Sequence, residues 1–245
     1  MASFIFFLLL CLKHNVLCQI SPLRTAVNEG NHNAVKAILE QQSNDGSINR
    51  AEDELSETPI LHVQSNSNVV DGSRTPLLHA CFEGHTDIVR SLLQHPSVVV
   101  SITDELGFNP LHAASWEGHY DVVNLLLKDG RINPQDKTKE AYQHDEANQE
   151  GSTPLMMAAN NGNEQVLRAL IKDGRSDLDA TFDGKNLIHL AASNGHAKVV
   201  RTLLDIGVDV NTRMKDGCTA LYLAAEHGRV GVVKVLLKDK NGKKC

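Results

Sequence analysis

The 245-residue chain is short of aromatic side chains, which make up 4% of it, although 41% of its residues are hydrophobic. That fits poorly with a single large core filled by rings, and a core of Leu, Val, Ile and Ala shared among small units fits better. Excess positive charge is also missing: the net charge is −6 and the pI about 6.0. That balance argues against nucleic acid, whose binders carry a basic stripe. The one basic cluster, Lys234, Lys238, Lys240, Lys243 and Lys244, reads as a solvated end. Paired cysteines are lacking too. Five are present, widely spaced, and Cys11 and Cys18 lie in the first eighteen residues, so Cys81, Cys218 and Cys245 form no disulfide framework. No Cys-x-x-Cys or His-Glu-x-x-His spacing marks a metal, and no glycine-rich loop cradles a phosphate. No catalytic residue, cofactor or metal is assigned, and the chain reads as non-enzymatic.

Long apolar runs are absent as well. The longest, Phe4 to Leu12, has nine residues, far too few to cross a bilayer as a helix. It does match the apolar stretch of a secretory signal peptide, with a cut before Gln19, although no Lys or Arg precedes it. Residues 1–18 are thus read as a leader and the protein as secreted. The alternative is a cytoplasmic chain with an uncleaved start.

What the chain has instead is a period. A capping residue, often followed by Pro, is followed by Ala five positions on and Gly nine positions on. The copies begin at Ser21, Thr75, Asn109, Thr153, Asn186 and Thr219. Successive starts differ by 54, 34, 44, 33 and 33, so two intervals exceed a 33-residue period by 21 and 11. Each residue type has a local task. Ser, Thr or Asn accepts a hydrogen bond from an orphan helix N–H. Pro has a pre-set φ and no N–H to leave unpaired. Gly ends the helix in the left-handed conformation. A second helix follows, with apolar pairs four apart, such as Val166, Leu167, Leu170 and Ile171, forming one stripe. Helices this short are not stable alone. Their stripes must be buried against the partner helix and the neighbouring repeat.

The segments NPLHAASWEGHYDVVNLLLKDG from Asn109, DGKNLIHLAASNGHAKVVRTLLDIGVDVN from Asp183 and DGCTALYLAAEHGRVGVVKVLLK from Asp216 resemble ankyrin repeats almost throughout. The resemblance covers about residues 21–240. It implies an all-α ankyrin-repeat solenoid of about six helix–turn–helix units with short β-hairpin fingers. The repeats fall at about 21–49, 72–102, 106–136, 150–180, 183–212 and 216–240, with insertions at about 50–71 and 137–149 and a basic tail at 241–245. Thr58-Pro59-Ile60-Leu61-His62 imitates a repeat start, lacks the Gly nine positions on, and reads as inserted loop. The family's His three after the cap, which ties neighbouring repeats, is kept only as His112 and His189, so the other junctions are expected to be weaker. The resemblance also marks Asn211 for asparaginyl hydroxylation in a chain that meets cytosolic oxygenases. The last apolar stripe runs to Leu237 with little beyond it, which leaves open an intact short protein or a piece of a longer array.

In this fold the seventh and eighth places after each cap line the concave surface. They put Phe82, Glu83, Trp116, Glu117, Asn160, Asn161, Ser193 and Asn194 on one strip, with Phe108 joining from a finger. Two large aromatics at equivalent places, rimmed by acids, have the composition of an interface hot spot. The expected function is a scaffold or adaptor that binds another protein through this surface, by a segment bearing Lys or Arg. No membrane span or nucleic acid is involved, and the protein is expected to be monomeric. A secreted effector on the same scaffold is the alternative, resting on the leader alone.

Overall fold

A computed structural model of the protein describes residues 22–41, 75–95, 98–139 and 151–238. The leader, the repeat-like segment at 58–62, the first insertion, the second insertion beyond Lys139 and the tail after Lys238 lie outside the described residues.

Twelve described helices alternate along the chain as pairs. They are α1 (Pro22–Asn28) with α2 (His32–Gln41), α3 (Pro76–Glu83) with α4 (Thr86–Gln94), and α5 (Pro110–Glu117) with α6 (Tyr120–Asp129). There follow α7 (Pro154–Asn161) with α8 (Glu164–Asp173), α9 (Leu187–Asn194) with α10 (Ala197–Asp205), and α11 (Ala220–Glu226) with α12 (Val230–Leu236). Each helix packs on its pair-mate and on the corresponding helix of the neighbouring pairs. The stack is therefore an open line, not a closed bundle.

The caps form as their residue types dictate. Thr75, Asn109, Thr153, Asn186 and Thr219 all accept a backbone N–H with the side-chain oxygen, at 3.0–3.3 Å. The alanine five positions on is fully buried in the last five pairs, where any larger side chain would push neighbouring pairs apart. The helix-ending glycine has a second reason to be glycine. At Gly162, with φ 77°, an added Cβ would lie 2.3 Å from Nδ1 of His196 in the next pair. The backbone conformation and the imbricated imidazole both forbid a side chain there.

The first three members of the second-helix stripe are buried: Ile88, Val89 and Leu92; Val122, Val123 and Leu126; Val166, Leu167 and Leu170; Val199, Val200 and Leu203. Of the fourth members Leu204 is buried, whereas Leu93, Leu127 and Ile171 are half-buried. Each buried side chain contributes roughly 1.5–3 kcal/mol by leaving water. The last stripe is thinner, for Leu237 is 63% exposed. Among the described residues there is no strand. The fingers are turns, two of them closed by isolated antiparallel bridges, Phe182 with Lys185 and Arg213 with Thr219. No described helix is long and apolar enough to cross a membrane.

Candidate protein-binding surface

Three aromatic rings meet where the α3 and α5 helices end. Phe82 is the last turn of α3 and Trp116 the last turn of α5. Phe108 stands between them, 6.0 Å from Phe82 in a stacked arrangement and 6.2 Å from Trp116 edge-on. Such offset and T-shaped geometries suit the ring quadrupoles. The finger holds Phe108 in place. Asp104 accepts N–H bonds from Leu106 and Phe108 at 3.0 and 2.8 Å, and Gly107, with φ 79°, closes the turn. On its other side Phe108 rests 6.0 Å from the imidazole of His112.

His112 is buried and serves two repeats. Its Nδ1 accepts the N–H of its own cap residue Asn109 at 3.3 Å, and its Nε2 lies 3.0 Å from the carbonyl of Asp136 and 3.1 Å from that of Ser152. Burial pushes its pKa down to about 4, against the weaker opposing pull of the Ser152 and Asp136 carbonyls. His189 repeats the contact with the carbonyl of Thr212 at 3.0 Å. The tie expected of this position is thus present at both histidines. Where Leu78 and Met156 replace it, they are fully buried, so apolar packing stands in for the hydrogen bond. Tyr222 is 53% exposed.

A second set of ties escaped sequence reasoning. After four of the helix-ending glycines the next residue reaches back to the first helix of the preceding pair. His119 Nε2 is 2.8 Å from the carbonyl of Phe82, and His196 Nε2 is 2.8 Å from that of Asn160. Asn163 donates to the carbonyls of Ser115 and Trp116 at 2.9 and 2.8 Å, and Arg229 to that of Ser193 at 2.8 Å. These bonds satisfy carbonyls left orphaned at the helix ends. They also fix the backbone of Phe82 and Trp116, the two ring-bearing positions. The available signal was that His85, His119, Asn163, His196 and Arg229 all carry side-chain N–H groups. A third set is built from Lys-Asp-Gly-Arg at 128–131 and again at 172–175. Arg131 donates to the carbonyls of Leu93 and Val98, and Arg175 to that of Leu127, at 2.8, 3.2 and 3.1 Å. Asp129 and Asp173 hold the two guanidinium groups at 2.7 Å.

All nine residues singled out from the sequence fall on the first helices or the finger, and none is buried. Trp116 is 37% exposed, Glu83, Glu117 and Asn194 are exposed, and Phe82, Phe108, Asn160, Asn161 and Ser193 are half-buried. The rings form one cluster. The asparagines form another, an amide chain in which Asn194 donates to Asn160 at 2.9 Å, Asn160 to Asn161 at 3.0 Å, and Asn161 to the Trp116 carbonyl at 2.9 Å. That carbonyl joins the two clusters. A shallow cleft of about 550 Å³ between α6 and α8, lined by Tyr120, Leu127, Lys128, Arg168 and Lys172 among others, includes none of the nine.

Neither described cysteine is poised as a nucleophile. Burial pushes the Cys81 thiol up, and at Cys218 burial and the neighbouring Asp216 push in the same direction. Among the described residues no group of three or more His, Cys, Asp or Glu side chains is arranged to hold a metal.

Compared with protein-family models, the chain matches the family described as ankyrin repeats (3 copies) over residues 59–138, 136–214 and 175–245. No curated protein matches it significantly.

Proposed function

From the premise that the chain belongs to the ankyrin-repeat family, whose repeats are generally protein–protein interaction modules, we propose that it is a non-catalytic scaffold or adaptor that grips another protein on the strip formed by Phe82, Phe108 and Trp116. The observation that carries the reading is the ring cluster. Three aromatics contributed by two helices and a finger stand together, and Trp116 remains 37% open to solvent. A rigid aromatic anchor with a polar rim is the composition of a binding hot spot. Its rigidity comes from the carbonyl ties of His119 and Asn163, so little ordering entropy is lost when a partner docks. The exposed carboxylates of Glu83 and Glu117 flank the rings and favour a partner segment carrying Lys or Arg.

The test is affinity capture with cross-linking, comparing the full chain with a Trp116→Ala, Phe82→Ala variant of verified helical content. A partner held by the wild type and lost by the variant supports the site. Equal recovery of that partner by both rejects it.

A further inference from the structure

We infer that the strip from Trp116 to Asn194 is an acceptor surface for an extended, arginine-bearing polypeptide segment lying across α5, α7 and α9. The inference rests on the proposed binding site and names the chemistry of its occupant.

The argument starts from the direction of the amide chain. Both its ends abut backbone carbonyls, which only accept. Asn161 Nδ2 faces the Trp116 carbonyl at 2.9 Å, and Asn194 Nδ2 faces the Leu190 carbonyl at 3.0 Å. Each end amide must therefore point its nitrogen inward. Asn161 then offers Oδ1 to Asn160, and Asn160 in turn offers Oδ1 to Asn194. No amide can flip without setting oxygen against oxygen. Asn194 engages both hydrogens of its amide in this way. Ser193 turns its hydroxyl inward too, donating to the Leu190 carbonyl at 3.1 Å. The donors of Ser193 and Asn194 are thus drawn into the protein, as is one hydrogen each of the Asn160 and Asn161 amides, and the exposed Asn194 keeps its Oδ1 as an acceptor.

At the other end stand the carboxylates of Glu83 and Glu117, exposed and without an ion-pair partner among the described residues. Acceptors therefore dominate on both sides of the Trp116 ring. An occupant bearing carboxylates or phosphates would meet like charge at Glu83 and Glu117 and donors already engaged at Ser193 and Asn194. An apolar one would strip water from amide oxygens without replacing its bonds. A guanidinium satisfies both ends, since it stacks on an indole face and bridges neighbouring oxygens with a planar fork that an ammonium lacks.

Trp116 is the single tryptophan, so its fluorescence reports on the strip directly. The experiment titrates the full chain with a nonapeptide of alternating arginine and serine, and with matched peptides carrying lysine or glutamate instead. Calorimetry replaces fluorescence for variants lacking the ring. The arginine peptide is expected to bind, the lysine peptide several-fold more weakly, and the glutamate peptide not at all. Asn194→Lys should weaken arginine-peptide binding about tenfold and Asn194→Asp should tighten it about threefold, through repulsion and a charge-assisted acceptor respectively. Far-ultraviolet circular dichroism confirms the fold of each variant. No binding of the arginine peptide by the wild type overturns the inference, as does equal binding of the glutamate peptide or equal affinity in both Asn194 variants. Trp116→Ala separates the two readings. If it leaves binding intact while the Asn194 variants respond, the aromatic anchor fails and the acceptor strip stands. If it abolishes binding while they do not, the anchor stands and the strip fails.

Discussion

The junction between the α3–α4 and α5–α6 pairs and the junction before it use the same sequence positions and differ in what their histidines reach. At the later junction His119 lies over Gly84 and its Nε2 meets the Phe82 carbonyl at 2.8 Å. At the earlier one His85 lies over Gly30 in the same way, yet its Nε2 is buried without a hydrogen-bond partner. The spacing differs too. A Cβ on Gly84 would come within 2.6 Å of His119, whereas one on Gly30 would stay 3.3 Å from His85. The first pair is therefore seated more loosely on its neighbour, and that junction follows the longest interval in the repeat, 54 residues between caps. The lesson is that one residue type at one register position stabilises a junction or burdens it, depending on whether an orphan carbonyl is within reach.

The largest expected effect concerns pH. His112 joins the third pair to the fourth as a neutral, buried imidazole whose pKa lies at about 4, below the ordinary 6.5. Because the folded value is the lower one, the unfolded chain takes up the proton first as pH falls. The stability His112 contributes is complete above pH 6.5 and is lost between pH 6.5 and 4, by about 3 kcal/mol at the limit. Burial lowers His189 in the same direction. Urea midpoints measured from pH 7 to 4 should fall, and hydrogen exchange should quicken around α5 and α7 beyond its change in α1–α2. His112→Leu should flatten the slope. A slope unchanged by that substitution would mean other groups set the acid response.

The next effect tests the two histidines against each other. His119→Leu removes the 2.8 Å bond to the Phe82 carbonyl and should cost about 0.5–1.5 kcal/mol. His85→Leu removes a buried nitrogen that has no partner and should be near neutral, within about 0.5 kcal/mol, or stabilising. Equal losses for the two, read from denaturant melts, would erase the distinction between the junctions.

The repeat was legible because its signals are local. A cap, a proline, an alanine and a glycine act within one helix, and each sits where its residue type has a task. The aromatic pair was legible for a related reason: once the register is known, the seventh place of α3 and of α5 must share a face. The carbonyl ties were not legible, because their acceptors are backbone groups, which every residue carries. Nothing in Phe82 or Ser193 marks its carbonyl as the target of a side chain 36 or 37 residues later. Residue identity at the histidine's place did not show that Leu78 and Met156 bury completely there while Tyr222 stays exposed. The polarity of the asparagine chain likewise depends on the carbonyls at its ends, which residue identity does not display.

The smallest effect belongs to the outer ties, and it separates two causes. Arg131 reaches the carbonyls of Leu93 and Val98 while paired with Asp129, whose carboxyl it holds below the usual range by hydrogen bonding. The Arg131 side chain is 39% exposed, so the ion pair is screened by solvent and should contribute well under 1 kcal/mol. The bond to the Leu93 carbonyl caps the last turn of α4, that to Val98 holds the segment after it, and both are less sensitive to salt. Asp129→Asn removes the pair and leaves the carbonyl bonds, whereas Arg131→Gln removes both. Arg131→Gln should therefore lower the urea midpoint more than Asp129→Asn, and the difference should persist at high salt. Exchange of the amides at the end of α4 should quicken only for Arg131→Gln. If both variants lose equally, and the loss disappears with added salt, Arg131 acts as a surface charge and the outer set of ties contributes nothing to holding the second pair against the third.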